Sequence, residues 1–148
     1  MQVIDDLSTV RVERPTVVTI GSFDGLHIGH QQLVHDLVGH ARQVGRLSAV
    51  VTFHPHPRTV LRPWLGPKVL TTPGEKAVLL AQMGVDVFVL LRFSQEMAQT
   101  SATDFVAMLR ERLCMEELWV GEDFAHGRGR EGNVDALREM GGRWGFSV

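Results

Sequence analysis

Residues Thr16-Val17-Val18-Thr19-Ile20-Gly21-Ser22-Phe23-Asp24-Gly25-Leu26-His27-Ile28-Gly29-His30 decide how this chain is read. The first five are β-branched and form a short apolar run, as in a strand buried on both faces. Beyond the stretch, apolar side chains recur at Leu33, Val34, Leu37, Val38, Ala41 and Val44. That spacing predicts a helix over Gln31–Val44, ended by Gly45. A strand that becomes a helix through a glycine-containing turn is a ready anion site. Gly21 and Gly25 let a ligand approach the backbone, and unpaired N–H groups at the helix start point towards it.

His27 and His30 stand three apart at this junction. Three readings are open: a phosphate clamp, two metal ligands on one helical face, or two ordinary surface histidines. A metal site needs at least a third ligand, and none is obvious nearby. The lead-in Gly21-Ser22-Phe23-Asp24-Gly25, directly after a strand, favours the phosphate. Asp24 either shapes the turn or caps it as an Asx residue. No Gly-Lys-Ser/Thr follows the glycines, so this is not a P-loop. A literal G-x-G-x-x-G occurs at Gly127-Arg128-Gly129-Arg130-Glu131-Gly132. It lies too late in the chain for a dinucleotide fingerprint, which needs an acidic residue further on.

Working outward, apolar runs alternate with helical patterns. Leu47–Phe53 reads as a second strand, and Gly74–Met83 as a helix closed by Gly84. Val85–Leu91 reads as a third strand, with Asp86 its only charge, and Thr103–Leu113 as a helix capped by Ser101 or Thr103. Leu118–Gly121 is a short fourth strand, and Val134–Arg143 a helix with Asn133 as its cap. Phe146–Val148 begins a fifth strand. Five of the six prolines fall between Pro55 and Pro73, which makes Pro57–Thr72 a long loop rather than a helix. The alternation implies an α/β fold with a parallel sheet of about five strands and helices on both faces. Ligands bind such sheets at the carboxyl ends of the strands. The unusual residues after strands one, two and four would then share one edge.

The bulk properties narrow the function classes. At 148 residues, 44% hydrophobic and 22% charged, the chain fits one globular domain. A net charge of −2 sets up no global field that draws it to nucleic acid or membranes. The basic residues Arg128, Arg130, Arg138 and Arg143 form a local exception near the C-terminal end. A single cysteine, Cys114, excludes an internal disulfide. No apolar run approaches membrane-spanning length, and the first residues lack the pattern of a signal peptide, so a cytoplasmic location is expected.

The stretch Gly21 to Gln31 resembles the signature of the bacterial FAD synthetases, bifunctional riboflavin kinase/FMN adenylyltransferases, in their N-terminal adenylyltransferase module. The His27-x-x-His30 pair alone is shared by the wider nucleotidyltransferase superfamily and indicates only the reaction class. Three further segments are similar to family motifs in the same order: Thr52-Phe53-His54-Pro55-His56-Pro57, then Leu70-Thr71-Thr72 with Glu75-Lys76. The third is Val120-Gly121-Glu122-Asp123-Phe124 with the glycines that follow it. The resemblance implies a Rossmann-like nucleotidyltransferase fold and transfer of AMP from ATP to FMN, with Mg²⁺, giving FAD and pyrophosphate. It implies that His27 and His30 are catalytic. ATP would be held by Gly21, Ser22, Phe23, Asp24, Gly25, His27, His30 and Asp123, and flavin by Phe53, His54, Pro55, His56, Pro57, Asp123 and Phe124. No residue is assigned as a protein metal ligand. Two rival readings remain: a nucleotidyltransferase acting on another phosphate ester, and a nucleotide- or flavin-binding module without turnover.

The chain departs from the family pattern in two places. Ala125 and His126 stand where the family often has an arginine followed by an aromatic residue. The family's Ser-Ser/Thr motif ending in Ile-Arg, whose hydroxyls and arginine meet the ATP phosphates, does not occur before Val148. Residues 1–148 are therefore expected to be a truncated adenylyltransferase domain, fused in the intact protein to a riboflavin kinase domain.

Overall fold

The computed structural model describes residues 1–21, 28–54, 72–92, 94–120, 134–145 and 147–148. The elements, in chain order, are β1 (Gln2–Ile4), β2 (Thr16–Ile20), α1 (Ile28–Gln43), β3 (Leu47–His54), α2 (Pro73–Gln82), β4 (Val87–Arg92), α3 (Gln95–Ala98), α4 (Ala102–Leu113), β5 (Met115–Trp119) and α5 (Val134–Trp144). The strands form one sheet in the order β1-β4-β3-β2-β5. Every pairing in it is parallel.

Alternation along the strands builds two cores, one on each face. Val17, Val50 and Phe88 point to the face covered by Val34, Leu37, Val38 and Ala41 of α1 and by Leu80 of α2. Val18, Ile20, Ala49, Val51, Val87 and Val89 point the other way, to Phe105, Val106, Leu109 and Leu113 of α4 and Leu137 and Met140 of α5. Burial on both faces is why β2 carries no exposed residue and no charge, and its two threonine hydroxyls are hydrogen-bonded to carbonyls.

Helix ends follow local chemistry. Thr72 caps α2 by accepting the Glu75 N–H at 3.1 Å, with Pro73 in the first turn where a missing N–H costs nothing. Ser101 caps α4 by accepting the Asp104 N–H at 3.1 Å. After α1, Gly45 takes a φ of 71°, a left-handed turn that glycine adopts without strain. Cys114 takes the same region, at φ 51° and ψ 46°, to turn α4 directly into β5. In the turn after β1, Asp6 accepts the Ser8 hydroxyl and N–H, which hold its carboxyl below the usual carboxylate range.

Several expectations are corrected. The expected third strand at Val85–Leu91 starts at Val87, because Asp86 is occupied elsewhere: its carboxylate accepts the Ser48 N–H at 3.0 Å and the Ser48 hydroxyl at 3.2 Å. The fourth strand spans Met115–Trp119 instead of Leu118–Gly121, because Glu117 is paired and so tolerated inside it. Of the expected strand at Phe146–Val148, Ser147 makes a parallel bridge to Glu117 at the edge of β5, and Phe146 lies outside the described residues. The fifth strand is β1, at the far edge beside β4. The first helix begins at Ile28, three residues before the expected start at Gln31. The expected cap Asn133 and the long proline-rich loop over residues 57–71 lie outside the described residues.

Candidate active site

Parallel pairing brings the carboxyl ends of β2, β3, β4 and β5 to one edge of the sheet. The register is Ile20 beside Val51, Thr19 beside Trp119, and His54 beside Arg92. The strand order contains one reversal. From β2 the chain moves through α1 to β3 and on through α2 to β4, then returns to place β5 on the other side of β2. The helix after β2 covers one face and the helix after β5 covers the opposite face. Connections that leave neighbouring strands towards opposite faces open a crevice between their carboxyl ends. By that rule the crevice falls between β2 and β5, the strands whose ends lead into residues 22–27 and 121–133.

The floor of this crevice is held by hydrogen bonds. The Thr19 hydroxyl donates to the Trp119 carbonyl at 2.8 Å, joining the ends of β2 and β5. Thr19 is fully buried, so its hydroxyl needs that partner. Gly21 is half-buried and its N–H donates to the Val51 carbonyl at 3.0 Å, which continues the β2–β3 ladder one residue past the strand. Thr52, also fully buried, occupies the matching level of β3.

The structure brings together three of the expected site residues at this edge. Gly21 follows β2, and Phe53 and His54 end β3. His30 lies in the first turn of α1, the helix that follows the β2 loop. Phe53 is only 8% exposed and packs its ring against Phe105, with centroids 6.0 Å apart, so it belongs first to the core. His54 is exposed and shares a shallow surface recess with Asp5, Leu90, Leu91 and Arg92. Ser22, Phe23, Asp24, Gly25, His27, Pro55, His56, Pro57, Asp123 and Phe124 lie outside the described residues, as do Arg128 and Arg130. Of the basic residues on α5, Arg138 is exposed, and Arg143 is exposed and pairs with Glu139 at 3.6 Å. A solvated pair of this kind contributes little.

Sequence reasoning overlooked a polar cluster behind the crevice. Glu117 of β5 accepts from Arg46 Nη1 at 2.7 Å and sits 2.9 and 3.0 Å from His40 Nε2. The His40 ring lies against Trp119, with centroids 5.4 Å apart. Its sequence signal was the charge inside a short strand, Glu116-Glu117, which ran against an apolar reading of that segment. Lys76, on α2, is 6% exposed. Among the described residues, no group of three His, Cys, Asp or Glu is placed to hold a metal ion. No described helix is long and apolar enough to cross a membrane.

A family model described as FAD synthetase matches residues 9–148. A bifunctional riboflavin kinase/FMN adenylyltransferase from Pseudomonas fluorescens is 38% identical over 100% of this chain and 48% of its own length. The protein of that name from Escherichia coli (strain K12) is 36% identical over 89% of this chain and 42% of its own. The chain thus spans about half the length of the curated relatives it matches. A crystal structure described as a macrolide-efflux protein from Streptococcus pneumoniae superposes with a TM-score of 0.83 at 26% identity, over 99% of this chain and 48% of that one.

Proposed function

The chain belongs to the FAD synthetase family, and from that premise we propose that it transfers the AMP moiety of ATP to the phosphate of FMN, giving FAD and pyrophosphate. The observation that carries this reading is the crevice between β2 and β5. The chain leaves β2 through the segment with His27 and reaches His30 at the head of α1, and it leaves β5 through the segment with Asp123 and Phe124. Both motif-bearing segments are therefore rooted on either side of one opening.

An FMN phosphate oxygen attacks the α-phosphorus of ATP, and the bond from that phosphorus to the bridging oxygen of pyrophosphate breaks. The electron pair leaves with pyrophosphate, so no covalent enzyme intermediate is needed. Catalysis is then positioning together with stabilisation of charge on the phosphate oxygens. His27, His30 and the first N–H groups of α1 supply that stabilisation. Gly21 and Gly25 admit the phosphates, with Ser22, Phe23 and Asp24 shaping the turn, and Asp123 reaches the nucleotide. His54, Pro55, His56, Pro57 and Phe124 line the flavin, and Phe53 supports them from the core. Mg²⁺ bound to ATP would offset the charge of its phosphates. The protein acts in the cytoplasm, and the intact polypeptide carries a riboflavin kinase domain as its relatives' names indicate.

The test is FAD formation from ATP, Mg²⁺ and FMN, followed by chromatography. His27→Ala and His30→Ala are each expected to lower kcat by about 10²–10³, the usual cost of removing one donor to a developing charge. Turnover with a different phosphate acceptor and none with FMN would overturn the flavin assignment. ATP binding without product under any acceptor would reduce the protein to a binding module.

A further inference from the structure

We infer that Glu117 is a positioning residue for adenylyl transfer: it ties α1 to β5 from behind the crevice and so sets the distance between its two walls. This rests on the adenylyltransferase reading above. The helix α1 packs chiefly on β3 and β2. Its apolar stripe of Val34, Leu37, Val38 and Ala41 is buried there, and such contacts are non-directional, so they tolerate a small slide along the helix axis. The directional link from α1 to β5 is made by Glu117. One carboxylate, with a side chain 16% exposed, meets His40 in the last turns of α1 and Arg46 just before β3. The Arg46 bond, at 2.7 Å, is charge-assisted and short. Trp119, two residues further along β5, packs on the same His40 ring and offers its carbonyl to Thr19 of β2. Three elements that bound the crevice are thus joined at one strand segment.

The lever is long. From Ile28 to His40, α1 rises about 18 Å. Releasing His40 frees the helix to shift along its axis, and the shift appears at the other end, where His30 and the first N–H groups meet the phosphates. Because those groups act on charge that develops during transfer, their displacement lowers kcat and leaves the KM for FMN nearly unchanged.

Two readings on the same variants test this. Glu117→Ala is expected to lower kcat at least tenfold with KM for FMN changed less than about threefold, and to raise amide hydrogen exchange in residues 28–33 while exchange in β3 and β4 stays as in the wild type. Glu117→Gln keeps one acceptor in the same shape and is expected to recover part of both effects. Should the alanine variant not fold, Glu117→Gln and Arg46→Met carry the comparison. A lower melting temperature with unchanged kcat and unchanged exchange at residues 28–33 overturns the inference and leaves an ordinary structural ion pair. If the wild type makes no FAD, the function fails, but the exchange measurement still decides whether Glu117 controls the head of α1.

Discussion

Cys114 is the one non-glycine residue among those described that takes a left-handed backbone conformation. An L-residue with a Cβ pays roughly 1–2 kcal/mol for that region, whereas glycine does not. The turn is needed there because α4 must reverse into β5 without a loop, and the Cys114 carbonyl accepts the Thr16 N–H at 3.0 Å. Cys114→Gly keeps that bond and removes the strain. It is expected to raise stability by about 1 kcal/mol, less what glycine adds to the freedom of the unfolded chain, and the melting temperature by roughly 2–4 °C. Thermal unfolding of the two proteins checks this. Strain of this kind is invisible in the sequence, where Cys114 registers only as a lone thiol. Thr19 and Glu117 are comparable cases: their types are legible, but their partners lie far away along the chain, at Trp119, His40 and Arg46.

Helices and strands were legible to the extent that their signals are local. The cap of α4 is such a signal. Ser101→Ala removes the acceptor of the Asp104 N–H and is expected to cost about 1 kcal/mol, measurable by urea unfolding. The apolar stripe of α1, its glycine stop and the β-branched run of β2 were equally plain. Elements whose identity depends on tertiary partners were not. β1 is three residues long with only Ile4 buried, too short for any periodicity, and it exists because it pairs with β4. α3 is a single four-residue turn capped by Ser94. The start of β5 is not legible because Glu116-Glu117 carries no apolar signal, and the partners of Glu117, His40 and Arg46, lie more than 70 residues away. At the site, the motif residues were legible by type and order, and the sheet adds where their segments are rooted.

For the molecule as a whole, the pairing of β2 with β5 is the contact that turns two α/β halves into one crevice. It is also very non-local: Thr19 and Trp119 are 100 residues apart. Contacts that close such long loops meet their entropic cost before any reward, and they tend to form late. Thr19→Val removes the buried hydroxyl that donates to Trp119 and is expected to cost about 1–2 kcal/mol. Because the contact forms late, the loss should appear in unfolding, roughly tenfold faster for each ~1.4 kcal/mol, with the folding rate nearly unchanged. Stopped-flow unfolding and refolding in denaturant would show this, and a slowed refolding arm would instead place β2–β5 pairing in the folding nucleus. A further consequence concerns the chain during its synthesis. Until Met115–Trp119 has been made, β2, fully buried in the finished fold, has one hydrogen-bonding side unoccupied. That bare side is a template for other nascent chains. Changes that delay the docking of β5 should therefore first reduce the yield of soluble protein and raise its demand for chaperones.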